Sequence, residues 1–170
     1  GPRCRGERLL GLPAQRTLPE WRSDTFWRVG DPSMFASREE AIAAAGQGGK
    51  VAVLFVDTFN GSFESENPLP PGRVLRPAGF LLHTVGKDGD HHCCGRTYLA
   101  NGMVDEAKAR AGALIDALLP LADAGIAIVG LEPSCLLTLR DEALVMGLGA
   151  KAETVAGRAL LFEEFIAREV

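Results

Sequence analysis

Two unbroken apolar runs and a set of periodic segments organise the chain. Residues 51–56, Val-Ala-Val-Leu-Phe-Val, contain no polar position. That is the pattern of a strand buried on both faces of a parallel sheet, since a strand with one wet face alternates. Residues 126–131, Ile-Ala-Ile-Val-Gly-Leu, repeat the pattern. Between the two runs, Val104, Ala107, Ala111, Leu114, Ile115, Leu118 and Leu119 fall at three- and four-residue spacings. They predict an amphipathic helix over 103–119 that stops between Pro120 and Gly125. Ahead of the first run, Ser37 and Glu40 stand in capping-box spacing before an alanine-rich stretch with glycines at 46, 48 and 49, a short helix with a glycine stop. Residues 80–85 predict another strand, with 86–90 as its turn. Residues 136–146 read as a helix broken by Gly147 and Gly149. Val155, Ala159, Phe162 and Ile166, with Leu161 and Phe165 alongside, predict a closing helix whose stripe covers the sheet. The fold class is α/β, a small parallel sheet flanked by helices.

Two stretches depart from this regularity. Residues 1–34 are led by Gly, Pro and Arg and read as an irregular lead-in, with the domain proper at 35–170. The aromatics Trp21, Phe26, Trp27 and Phe35 predict that this lead-in packs onto its neighbour, while Cys4 reads as an incidental exposed thiol. Residues 68–77 hold Pro68, Pro70, Pro71 and Pro77. A proline inside a helix removes a donor and clashes with the preceding turn, at about 3 kcal/mol or more. The stretch is therefore expected to lack a regular helix, and 68–90 as a whole to be irregular.

Composition narrows the function classes. A chain of 170 residues, 46% hydrophobic and 24% charged, suits one globular domain. A formal charge of −4 argues against a nucleic-acid partner, which wants a basic surface. The most apolar long stretch, 113–131, is interrupted by Asp116, Pro120 and Asp123, so no membrane span is expected. No secretory leader is visible and the first residue is not methionine, which reads as a fragment. Four cysteines, two of them adjacent, do not make a disulfide framework, and a reducing cytoplasm is the expected compartment.

The candidate chemistry sits in His91-His92-Cys93-Cys94-Gly95-Arg96. Adjacent thiols followed by glycine, with histidines in front, suit soft ligands on a tight loop; free thiols are the plain alternative. Cys135 lies in Glu132-Pro133-Ser134-Cys135, directly after the second apolar run. A helix start near the Cys93–Cys94 pair and the charge of Arg96 are expected to favour thiolates. Asp57-Thr58-Phe59-Asn60 follows the first run and is read either as a site at the strand's carboxyl end or as a turn that caps the next helix. Gly-x-Gly-x-x-Gly, a phosphate-binding loop, His-Glu-x-x-His and a hydrolase nucleophile elbow are all absent from the sequence.

Three blocks, 53–60 (VLFVDTFN), 93–97 (CCGRT) and 130–142 (GLEPSCLLTLRDE), resemble in order and separation the cysteine-rich CCG domain. That domain occurs in heterodisulfide reductase subunits, glycolate oxidase iron–sulfur subunits and the C-terminal part of large FAD-linked oxidases, the last being the nearest in pattern. The resemblance implies an electron-transfer module of an oxidoreductase acting on a 2-hydroxy acid of the D-lactate, glycolate or 2-hydroxyglutarate type. FAD and its binding domain, together with a ferredoxin-like domain, would belong to the rest of the full-length protein. The fragment alone is expected to turn over no hydroxy acid. The implied metal ligands are Cys93, Cys94 and Cys135, with Glu132, His91 or His92 as further donors. In the fuller CCG pattern two more cysteines stand where this chain has Thr58 and Glu132. The implied iron–sulfur cluster is therefore expected to be labile or absent, and a zinc-bound or metal-free scaffold is the alternative.

Overall fold

The computed structural model describes residues 22–86 and 91–170. Cys4 and Trp21 fall outside that range, as does most of the expected turn at 86–90. Four strands form one sheet in the order β2-β1-β3-β4, every neighbouring pair parallel. They are β1 (Val51–Phe55), β2 (Leu81–His83), β3 (Ala127–Gly130) and β4 (Ala159–Leu161). Both apolar runs are thus strands, and they are the two central ones. Alternate residues serve two cores, as a pleated strand requires. Val51, Val53 and Phe55 join Leu114, Ile115, Leu118, Leu136, Leu139 and Val155 on one face. Ala52, Leu54 and Val56 join Phe26, Phe35, Leu75, Phe80 and Phe165 on the other. Burial on both faces is the reason neither central strand alternates in sequence.

The helices are α1 (Phe26–Val29), α2 (Arg38–Gly46), α3 (Thr58–Ser62), α4 (Leu69–Leu75), α5 (Arg96–Ala100) and α6 (Val104–Asp123), then α7 (Pro133–Arg140), α8 (Glu142–Val145), α9 (Ala150–Ala156) and α10 (Phe162–Glu169). A 3-10 turn spans Pro32–Met34. The capping box forms at α2: Ser37 Oγ accepts from Glu40 N at 3.1 Å, and the Glu40 carboxylate accepts from Ser37 N at 2.8 Å. Ser37→Ala is expected to lower stability by about 1 kcal/mol in a urea titration; no measurable change would mean that the box does not hold this helix end. Phe26 and Phe35 are buried against the sheet, so the described part of the lead-in packs as its aromatics predict.

Three expectations need correction. A helix, α4, does run through the proline cluster. Pro68 is its N-cap and Pro70 and Pro71 lie in its first turn, where the backbone donors have no intrahelical partner to lose. Pro71, Gly72 and Leu75 are buried, and the helix stops before Pro77. The long helix α6 ends at Asp123, within the expected stop between Pro120 and Gly125; Leu121 and Ala122 bury its last turn, and that packing outweighs Pro120. The helix expected at 136–146 starts earlier, at Pro133, and breaks at Asp141 (φ −130°, ψ −82°) into α7 and α8. The closing helix begins only at Phe162, since 159–161 pair with β3 as a fourth strand. So short an apolar run has no readable period of its own; a neighbouring strand decides its conformation. Among the described residues no helix is long and apolar enough to cross a membrane.

From β1 the chain moves outward to β2, then returns past β1 to β3. The direction of winding therefore reverses between β1 and β3, and the crevice beyond their carboxyl ends is where ligands gather in open parallel sheets.

Candidate functional site

Two strand ends and one loop meet at that crevice. Phe55 of β1 pairs with Gly130 of β3, so the segments that follow each strand leave the sheet side by side. After β1 comes Asp57, 2% exposed, whose carboxylate accepts from Phe59 N at 2.9 Å, Asn60 N at 3.2 Å and Asn60 Nδ2 at 2.5 Å. Asn60 Oδ1 accepts in turn from Asn67 Nδ2 at 3.0 Å. Asp57 is thus the N-cap of α3, as the capping reading of that segment expects. Its role is to aim α3, and with it Thr58.

The Cys93-Cys94-Gly95 loop closes the crevice from above. Gly95 has φ +85° and ψ −7°, a left-handed conformation that suits glycine. A Cβ there would stand 2.5 Å from the carbonyl oxygen of Ala107 in α6. Glycine therefore lets the loop both turn and lie directly on the helix. Gly95 N donates to Cys93 Sγ at 3.4 Å, and the backbone N–H of Arg96 donates to Cys94. Cys135 enters from the other side as the third residue of α7. Cys94 and Cys135 are 2% and 3% exposed and belong to one apolar cluster with Phe55 and Leu136, while Cys93 is half-buried.

The groups are successive neighbours: Thr58 lies beside Cys93, Cys93 beside Cys94, and Cys94 beside Cys135. The hydrogen bond with Cys94, together with burial, pushes the Cys93 thiol far above the ordinary range. The hydrogen bond with Cys135 together with burial raises Cys94 to about 12, against the opposing bonds from Cys93 and Arg96 N–H. Both shifts run against the thiolates that the nearby helix start suggests. Backbone N–H groups at the start of α5 do favour the anion, but thiol–thiol hydrogen bonding and burial outweigh them. Nor does Arg96 serve the thiols: its guanidinium lies 3.8 Å from Glu142.

The predicted donors thus divide. Cys93, Cys94 and Cys135 come together, with Thr58 at the open end. Glu132 instead accepts from Ser134 N at 3.2 Å and Ser134 Oγ at 2.8 Å as the N-cap of α7. The His91 ring stacks on Trp27, centroids 4.5 Å apart and planes 21° from parallel. His92 is half-buried beside Cys93, and it supplies none of the hydrogen bonds that reach the thiols. Among the described residues no three His, Cys, Asp or Glu side chains are arranged to hold a metal ion. The donor types suit a soft metal, but three sulfurs and an alcohol are not the four-donor cage that zinc or a cluster takes. Thr58 stands at a ligand position of the CCG pattern, whereas the Trp27–His91 stack has no signal in the sequence. Comparison with protein families, curated proteins and solved structures finds no match to this chain.

Proposed function

We propose that this chain is the cysteine-rich module of an FAD-linked 2-hydroxy acid oxidoreductase, with an electron-transfer centre reduced to a three-thiol site that holds metal weakly. The observation that supports this reading is the meeting of Cys93 and Cys94, on the loop before α5, with Cys135, in the first turn of α7, at the winding reversal of the sheet. An iron–sulfur cluster bound there would supply one-electron transfer between a flavin and an acceptor. What the chain's own residues do is narrower. Gly95 sets the loop on α6, Asp57 aims Thr58, and the helix start at Pro133 brings Cys135 to Cys94. The pKa values of Cys93 and Cys94 are raised, so uptake of a cation by their sulfurs must expel protons and would be favoured by higher pH.

A metal-free scaffold is the second reading, favoured by the packing of Cys94 and Cys135 within the apolar core. The two readings separate on anaerobic reconstitution with iron and sulfide, followed by desalting, visible absorption and metal analysis. Wild type is expected to colour but to lose most of its iron on desalting. Thr58→Cys, which replaces a poor oxygen donor with a fourth thiol beside Cys93, is expected to keep several times more. Cys94→Ser is expected to keep almost none. A wild type that holds a full cluster as firmly as Thr58→Cys would refute the weakened site. Equal iron in wild type and Cys94→Ser would remove the thiols from consideration as ligands and leave the scaffold.

A further inference from the structure

The opposite edge of the sheet carries a feature that the thiol site does not explain. There the amino ends of β1, β3 and β4 open on a cleft of about 330 Å³. Lys50, Arg158 and Arg168 line it, with Glu169 as the one carboxylate among its lining residues. Its apolar wall is made by Phe80, Leu160 and Phe165, and Lys50 Nζ stands 5.3 Å from the Phe80 ring centroid.

Cations gathered at one place usually answer to nearby acceptors, and here the obvious ones are helix ends. The helices α2, α6 and α9 all finish at this edge, and the negative ends of their dipoles draw positive charge. Their closing carbonyls are already taken by backbone donors, however. Gly49 N bonds to Ala44 O, Ile126 N to Leu121 O and Gly157 N to Glu153 O, at 2.9, 3.1 and 3.0 Å. Arg168 is also drawn toward Glu164, one turn earlier on α10, whereas among the described residues no side-chain hydrogen bond or ion pair involves Lys50 or Arg158. Three cations therefore converge on a cleft with an apolar wall, two of them with no carboxylate partner.

We infer that this cleft binds a small organic oxyanion, a dicarboxylate or a phosphate monoester, its oxygens on Lys50, Arg158 and Arg168 and its carbon body against Phe80 and Leu160. The forked donors of arginine match carboxylate and phosphate alike. A long polyanion would meet the negative charge of the whole chain, −4, whereas a small anion responds to the local excess of cations. The site lies at the edge away from Cys93, Cys94 and Cys135 and does not depend on metal there.

Isothermal titration of the whole chain with glutarate and with phenyl phosphate, at low ionic strength, tests it. Saturable binding of at least one probe is expected, and the probe that binds identifies the head group. In the double variant Lys50→Gln, Arg158→Gln that binding is expected to weaken about tenfold or more, because charge-assisted hydrogen bonds are lost. Both side chains are exposed, so an unchanged melting transition will show that the fold survives. No saturable binding of either probe up to about 10 mM, a range in which one charge-assisted pair would still register, would overturn the inference. So would binding that the double substitution leaves unchanged.

Discussion

Gly95→Ala is expected to lower the stability of the domain by about 2–4 kcal/mol, combining left-handed strain of about 1–2 kcal/mol with a steric clash of similar size. The two contributions can be separated. Gly102 has φ +75° with nothing within 4 Å of a built Cβ, whereas Gly95 has φ +85° with the Ala107 carbonyl oxygen at 2.5 Å. That oxygen belongs to the backbone of α6 and cannot rotate aside, so the loop must lift. Gly102→Ala is accordingly expected to cost only the strain, about 1–2 kcal/mol. Urea titrations of the two variants beside wild type give the comparison. Equal losses would show that the Cys93–Cys94 loop does not rest on α6 as described. A larger loss at Gly95 is expected to bring faster alkylation of Cys94 as well, because lifting the loop exposes it.

Cys94→Ala is expected to raise the alkylation rate of Cys93 at about pH 8 by roughly tenfold or more, since the thiolate is the species that reacts. In wild type, Cys93 is half-buried and its hydrogen bond with Cys94 holds its pKa far above that of a free thiol. Removing Cys94 leaves burial as the only large factor opposing ionisation, while the bonds from Gly95 N–H and Thr58 still favour the anion. The sign for stability follows from the same shifts. Cys93 and Cys94 bind their protons more tightly folded than unfolded, so their contribution is fully present below the ordinary thiol value of 9.0. It is lost as the pH rises from there toward the value of about 12 at Cys94. Iodoacetamide labelling with mass mapping across that alkaline range reads both effects. An unchanged Cys93 rate in Cys94→Ala would mean the two thiols are not coupled.

How much of this was legible beforehand depends on the range of the interactions involved. The central strands, the capping box of α2 and the stripe of α6 were readable, because each follows from the side chains of one short segment and a single period. The coming together of Cys93, Cys94 and Cys135 also followed from sequence, since parallel strands with a helical crossover bring their carboxyl ends to one edge. The proline-rich helix was missed because proline is costly in a helix interior and harmless in a first turn, and position within the helix was set by contacts of Pro71 and Leu75 with the rest of the fold.

The sequence by itself determined the α/β class, the two buried strands, and three thiols placed to meet. Only the tertiary structure decided their chemical state. Whether a thiol is neutral or ionised depends on which groups face it across space, and here neighbouring thiols and burial raise the pKa values of Cys93 and Cys94. The same holds for Glu132, a donor implied by resemblance to the CCG pattern that its own helix takes as a cap, and for His91, drawn onto Trp27 from 64 residues away in the chain. Spacing along the chain brings groups within reach of one another, but the competing partners that each finds in the folded molecule settle what it is able to bind.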